Sequence, residues 1–338
     1  MVLKTHQDKD FRGATVASLS TPWGQSRPDV GGYHLVWPRD LCEAAGGFLA
    51  LGDVVGARYI LEYLIATQQP DGHWYQNQWL SGEPYWRGIQ LDEVGLPILL
   101  VAALAERDEL RSIPASAMVR RAASFIARNG PSTAQDRWEE DAGLNPFTLA
   151  VCIAALVCAA DFLEDPARSY ALELADAWNA RIEQWTYVTG TAIAKSVGVA
   201  GHYVRSAPPD AFDPSFDLSA WAQSAGANPS RLLGLECLAL VRAGLRSADD
   251  PRILDSVRAI DAVLRVETPN GPVWHRYPHD RYGEEDDGAA PHDGKGVGRG
   301  WPLLTGERGH YAFARKEDAM PYAMAMANVA GGTGMITE

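Results

Sequence analysis

Leu149-Ala-Val-Cys-Ile-Ala-Ala-Leu-Val-Cys158 is the stretch on which the fold turns. It is too short to span a bilayer and is apolar around its whole circumference, so as a helix it must be covered on two sides. Outward from it, residues recur at helical spacing over Arg39–Leu51, Val55–Thr67, Asp92–Ala105, Ser116–Asn129, Pro146–Phe162 and Ala167–Trp185. The pattern continues over Leu218–Ala225, Pro229–Gly244, Pro251–Val266 and Glu317–Ala330, with Pro or Gly at many ends. The best strand candidate is Thr186–Ala194, short and isolated. The chain therefore reads as all-α. Helices in two concentric rings explain the two-sided burial. Long loops at 68–91, 130–145, 199–217, 267–301 and 331–338 recur at about every second helix junction, which gathers them on one face. With no strict repeat or linker, residues 1–338 read as one domain.

The 338 residues are 46% hydrophobic and 22% charged, enough for a large core. A net charge of −13 argues against nucleic acid and anionic membrane partners, which repel an acidic surface. The start, Met1-Val-Leu-Lys-Thr-His-Gln-Asp-Lys-Asp10, lacks the basic-then-apolar order of a signal peptide. Cys42, Cys152, Cys158 and Cys237 sit in apolar runs and read as buried free thiols. Eleven tryptophans favour a carbohydrate ligand, because sugar CH faces stack on indole, although large core residues explain many of them.

Four segments can carry chemistry. Asp136-Arg-Trp-Glu-Glu-Asp-Ala-Gly143 precedes a helix. Its plain structural reading is an acidic helix start. The indole of Trp138 beside Glu139 and Glu140 favours a second reading, since apolar surroundings raise a carboxyl pKa as a general acid requires. Tyr33-His-Leu-Val-Trp-Pro-Arg-Asp40 places an Arg-Asp pair at a helix start, either as a cap or as a grip on vicinal hydroxyls, with Tyr33 or Trp37 as a stacking face. Trp74-Tyr-Gln-Asn-Gln-Trp79 and Tyr85-Trp86-Arg-Gly-Ile-Gln-Leu-Asp92 hold more large aromatics than one loop buries readily. His275-Arg276-Tyr-Pro-His-Asp280 and Arg299-Gly-Trp301 form the fourth group. Glu284-Glu-Asp-Asp287 reads as a solvated loop, since calcium needs ligands spaced around a loop and not charge density alone. No phosphate loop, HExxH or nucleophile elbow is present, which leaves carboxylate chemistry with neither metal nor organic cofactor.

Taken together these motifs resemble glycoside hydrolase family fifteen, the glucoamylases and glucodextranases, in its bacterial branch. The resemblance rests on Ser18–Gly24, Gly32–Asp40, Gln68–Trp74, Gln90–Pro97, Arg137–Glu140 and Trp301–Tyr311, in family order along nearly the whole chain. It implies an (α/α)6 toroid and inverting exo-release of β-glucose from α-glucan ends. It also implies Glu139 as general acid, with Glu140 and Asp136 as substrate-binding and supporting neighbours. Arg39 and Asp40 would hold the terminal glucose, Tyr33 would stand beside the reacting centre, and Trp86, Arg276 and Trp301 would line the pocket. The general base falls on Glu338, where Thr337 replaces the family's Pro and the sequence stops before its Gln. By this resemblance the last helix and the N-terminal β-sandwich of bacterial relatives lie outside the sequence. Rival expectations are a trehalase-like α-glucosidase and a non-hydrolytic sugar-binding fragment.

Overall fold

The helix Leu91–Ala105 is deeply embedded. Every residue from Leu91 to Ile98 is buried, including Asp92 and Glu93 in its first turn. It packs against Pro38–Ala50 and Ser116–Asn129, and Pro38–Ala50 packs in turn on Val54–Thr67. The computed structural model describes residues 2–19, 33–224, 226–283, 285, 296–332 and 334–336. Gly31 and Gly32, residues 20–24 of the Ser18–Gly24 motif, Glu284, Asp286, Asp287 and Glu338 lie outside the described residues.

The chain forms two compact units, residues 1–140 with 151–180, and residues 141–150 with 181–338. The first is wholly helical in its long elements: the four helices above and Ala167–Asn179. Asp53 caps Val54–Thr67 by accepting from Gly56 N at 3.2 Å, which satisfies one of the orphan donors of a helix start. The apolar run that opened the sequence reading forms Pro146–Ala159, buried except at Ala154, Val157 and Cys158, and continues as a 3₁₀ turn, Ala160–Phe162.

In the second unit, Tyr187–Thr189 pairs antiparallel with Gly201–Tyr203, which rests on the helix Pro251–Val263. A hairpin, Arg265–Thr268 with Gly271–Trp274, packs on the helices Pro302–Ala314 and Met320–Val329. These elements depart from the sequence reading in four places. The helix expected over Pro251–Val266 stops at Val263, and its end is the first hairpin strand. The span Pro229–Gly244 is broken at Leu233-Gly234, both extended, into Pro229–Leu232, a 3₁₀ turn and Leu238–Arg242. Pro302–Ala314 is helical although its glycines and charges hide the period. Thr186–Ala194 yields a strand of only three residues.

The loop after Val54–Thr67 is pinned by contacts that only glycine permits. Gly72 has φ +114, and a Cβ there would stand 2.2 Å from Arg121 O. Gln68 Nε2 donates to Gly72 O at 3.0 Å and to Met118 O at 3.1 Å. Gly72→Ala is expected to cost about 1–3 kcal/mol, read as a fall in the thermal midpoint. An unchanged midpoint would mean that the loop relaxes freely.

Candidate active site

The site in the first unit is built from the residue before a helix upward. Val36 exchanges main-chain hydrogen bonds with Gln78, at 2.9 and 3.0 Å, which extends the chain into Trp37. Trp37 is the N-cap, and Pro38, with its fixed φ, opens the helix. This seats the Trp37 ring inward, at 4% exposure, and its indole N–H donates to Glu139 Oε1 at 2.6 Å. A ring so covered has little face left for stacking; what Trp37 offers is its N–H.

Glu139 sits on a tight turn. Its N–H donates to Asp136 O at 2.9 Å, and the Glu140 N–H donates to Asp136 Oδ1 at 3.0 Å. Asp136 is fully buried and supports the turn from beneath. Glu139 has φ +67, a sparsely populated region for a residue with a side chain, and such strain concentrates at functional sites. Burial raises its carboxyl pKa; hydrogen bonds from Trp37 and Gln76 and the charge of Arg39 oppose this, and Asp40 adds to it. The result is a carboxyl that keeps its proton to higher pH than a free one. Glu140 is exposed, and Trp138 is half-buried beneath Arg137, whose guanidinium carbon lies 4.6 Å from the ring centroid.

In the first turn of its helix, Arg39 meets a carboxylate cluster. Its Nη1 donates to Gln90 Oε1 at 2.6 Å and Asp92 Oδ2 at 2.9 Å, and Glu93 Oε1 is 3.7 Å away. Burial alone lowers the guanidinium pKa, but Asp92, Glu93 and Asp40 outweigh it and carry the value upward. Glu93 is fully buried, and neither of its carboxyl oxygens has a hydrogen-bond partner. Burial raises its pKa strongly against the pull of Arg39, with Asp92, Glu139 and Asp40 adding to the rise. Asp92 takes the hydrogen-bonded ion pair with Arg39, and Glu93 lies behind it with its carboxyl pKa raised. Desolvation also raises the Asp40 carboxyl, with Arg39 opposing, although solvent still reaches the residue.

Aromatic rings complete this part. Trp86 is 45% exposed, edge-on to Trp37 at 6.3 Å and tilted on Tyr85 at 5.2 Å. Its main-chain N–H donates to Asn77 Oδ1 at 2.9 Å. Tyr33, half-buried, lies 6.0 Å from Trp37. Tyr33, Trp37, Arg39, Asp40, Trp86, Asp136, Trp138, Glu139 and Glu140 thus all belong to one unit.

Arg276 and Trp301 belong to the second unit and form a cluster there. Arg276 is 3% exposed and donates through Nε and Nη2 to the two oxygens of Asp280, both at 2.7 Å. Its guanidinium carbon lies 5.1 Å from the Trp301 ring and 4.8 Å from Tyr282. Trp301 is half-buried, and its main-chain N–H donates to Trp274 O at 2.8 Å.

Gln76, Asp92 and Glu93 were given no part in the sequence reading. A signal was present: two carboxylates open a helix that is otherwise apolar on every side, and buried carboxylates need a cation. Gln76 carried no such signal among the aromatics around it.

Among the described residues, no helix is long and apolar enough to cross a membrane. The family model of Glycosyl hydrolases family 15 matches residues 1–329. The structure aligns over its whole length with a crystal structure of bacterial glucoamylase complexed with acarbose, at TM-score 0.87 and 41% identity, covering 50% of that chain. The fold is thus the all-α, (α/α)6 toroid class of glycosidases. The chain belongs to glycosyl hydrolase family 15. It is 42% identical to a glucoamylase from Clostridium sp. (strain G0005), over 100% of this chain and 48% of that protein. An uncharacterized glycosyl hydrolase from Methanocaldococcus jannaschii is 28% identical over 44% of this chain. A glucoamylase from Saccharomycopsis fibuligera, at 16% identity and TM-score 0.60, shares the fold. The chain spans about half the length of the glucoamylase it matches.

Proposed function

We propose that this chain carries the catalytic machinery of an inverting exo-acting glycosidase that releases β-D-glucose from the non-reducing ends of α-glucans. The observation that carries this reading is the setting of Glu139: a carboxyl raised by burial, aimed by the Trp37 indole N–H and placed on a strained turn. A protonated carboxyl so held can protonate a glycosidic oxygen as the bond breaks. Arg39 and Asp40, beside it on one helix start, supply the donor and acceptor that vicinal sugar hydroxyls require. Trp86 offers an exposed ring for a sugar face. Glu338, by the family resemblance, activates the attacking water. In an inverting enzyme that base stands roughly 6.5–9.5 Å from the acid, leaving room for the water.

The test is proton NMR of the sugar at first release, with maltooligosaccharide and isomaltooligosaccharide supplied separately. β-Glucose is expected, and the faster substrate assigns the α-1,4 or α-1,6 preference. Release of α-glucose would overturn the inverting assignment.

A further inference from the structure

Two glutamines and a glycine around Glu139 are left over by the roles above. Gln76 is 6% exposed, and its main-chain N–H donates to Gly88 O at 2.8 Å. Its side chain hydrogen-bonds to the Glu139 carboxyl. Gln135 immediately precedes the Asp136–Glu140 turn. Its Nε2 lies 3.5 Å from the Glu139 main-chain oxygen, and its buried Oε1 has no hydrogen-bond partner. Both side chains converge on Gly88. A Cβ built there would stand 1.9 Å from Gln135 Oε1 and 2.4 Å from Gln76 Oε1. Gly88 does not have a left-handed φ. A side chain at 88 would displace both amide ends.

This notch orients the amides. A glutamine whose oxygen faces Gly88 turns its NH2 away, and only the NH2 can donate to a carboxylate or a carbonyl. Both glutamines therefore present donors to the same residue, one to its side chain and one to its main chain. Two donors on one carboxyl, from Trp37 and Gln76, restrain a terminal torsion that is otherwise broad. The hydrogen bond to the Glu139 carbonyl supports a backbone conformation that costs energy where it stands.

We propose that Gln76 and Gln135, seated against Gly88, are positioning residues for Glu139, the first aiming its carboxyl and the second holding its turn. The inference rests on Glu139 being the general acid. It adds a requirement that the acid's geometry is set from the 76–88 loop.

The test is carboxyl-carbon NMR of the protein labelled at glutamate. Glu139 is assigned by the signal lost in Glu139→Gln and is then followed through a pH titration in Gln76→Met and Gly88→Ala. Met keeps the length of Gln without its donor. A donor to the ionised form lowers a carboxyl pKa, so its removal must move the titration upward. Trp37, Arg39, Asp40 and Glu93, the other groups facing Glu139, stay as they are. The expected result is a titration at higher pH in both variants, with kcat/KM on maltooligosaccharide reduced about tenfold or more. Its alkaline limb should move in the same direction. A merely structural role would lower the thermal midpoint and leave the titration in place. An unmoved titration in folded Gln76→Met would overturn the proposal, and that variant decides if Gly88→Ala does not fold. Turnover that survives Glu139→Gln would instead overturn the functional reading, while the titration still decides whether Gln76 and Gly88 govern Glu139.

Discussion

Glu139→Gln is expected to lower turnover of α-glucan by roughly 10²–10⁴, the usual range for a lost general acid, while a disaccharide still binds. Gln keeps the shape and can still accept from the Trp37 N–H, but it has no proton to give. The substitution should also stabilise the fold at neutral pH. The Glu139 carboxyl is raised by burial, with Trp37 and Arg39 opposing. For such an acid the folded state holds its proton more tightly than the unfolded chain does. Its cost to stability is absent below the unfolded pKa and grows as pH rises towards the folded one. The difference between variant and parent in thermal midpoint should therefore grow with pH from about 4 upward. Near-normal turnover would remove Glu139 from the acid role. A midpoint difference constant with pH would mean that its carboxyl is not desolvated. A working acid that costs stability is a common trade at active sites.

Arg39→Met should have the largest effect on stability. It removes the cation from Asp92, whose side chain has no exposure, and from Glu93 behind it. Breaking a buried pair from one side costs about 3–5 kcal/mol, because a charge is left without compensation. Adding Asp92→Asn should restore much of that stability. Chemical denaturation of the three proteins at neutral pH checks this. A loss in Arg39→Met that Asp92→Asn does not reduce would show that packing, and not the ion pair, carries the cost. On the proposed reading, the grip on sugar would be lost in either case.

Four helices of the first unit were legible in the sequence because their period is uninterrupted, whereas Ala167–Trp185, read as one helix, ends at Asn179 and is followed by a separate helix, Ile182–Thr186. Arg39–Leu51, Val55–Thr67 and Asp92–Ala105 each lie within one residue of the observed bounds, and Ser116–Asn129 coincides with them. The hairpin after Val263 was not read, although Asn270-Gly271 is a strong turn signal and Arg265-Val-Glu-Thr268 alternates. The apolar spacing of the preceding helix simply ran on into it. Pro302–Ala314 was read as a motif because Gly306 and Gly309 interrupt its pattern; Gly309 instead serves close packing, with Tyr322 Cβ 3.0 Å from where its own Cβ would be. In the site, the residue types that do chemistry could be named from sequence, but not which end of Trp37 is used. That depends on the bridge between Val36 and Gln78, a pairing across the fold that no local pattern announces.

The pair between Arg39 and Asp92 has a consequence for how the chain finds its structure. A helix covered on all sides by apolar neighbours has little on its flanks to tell one seating from the next. If Leu91–Ala105 docked one turn out of place, Leu96 would face the guanidinium where Asp92 belongs, and two carboxyls would be stranded without a cation. Misaligned dockings would thus be penalised at the helix head and not along its sides. The charges at 39 and 92 act as an alignment key, a role that stands apart from any chemistry at Glu139.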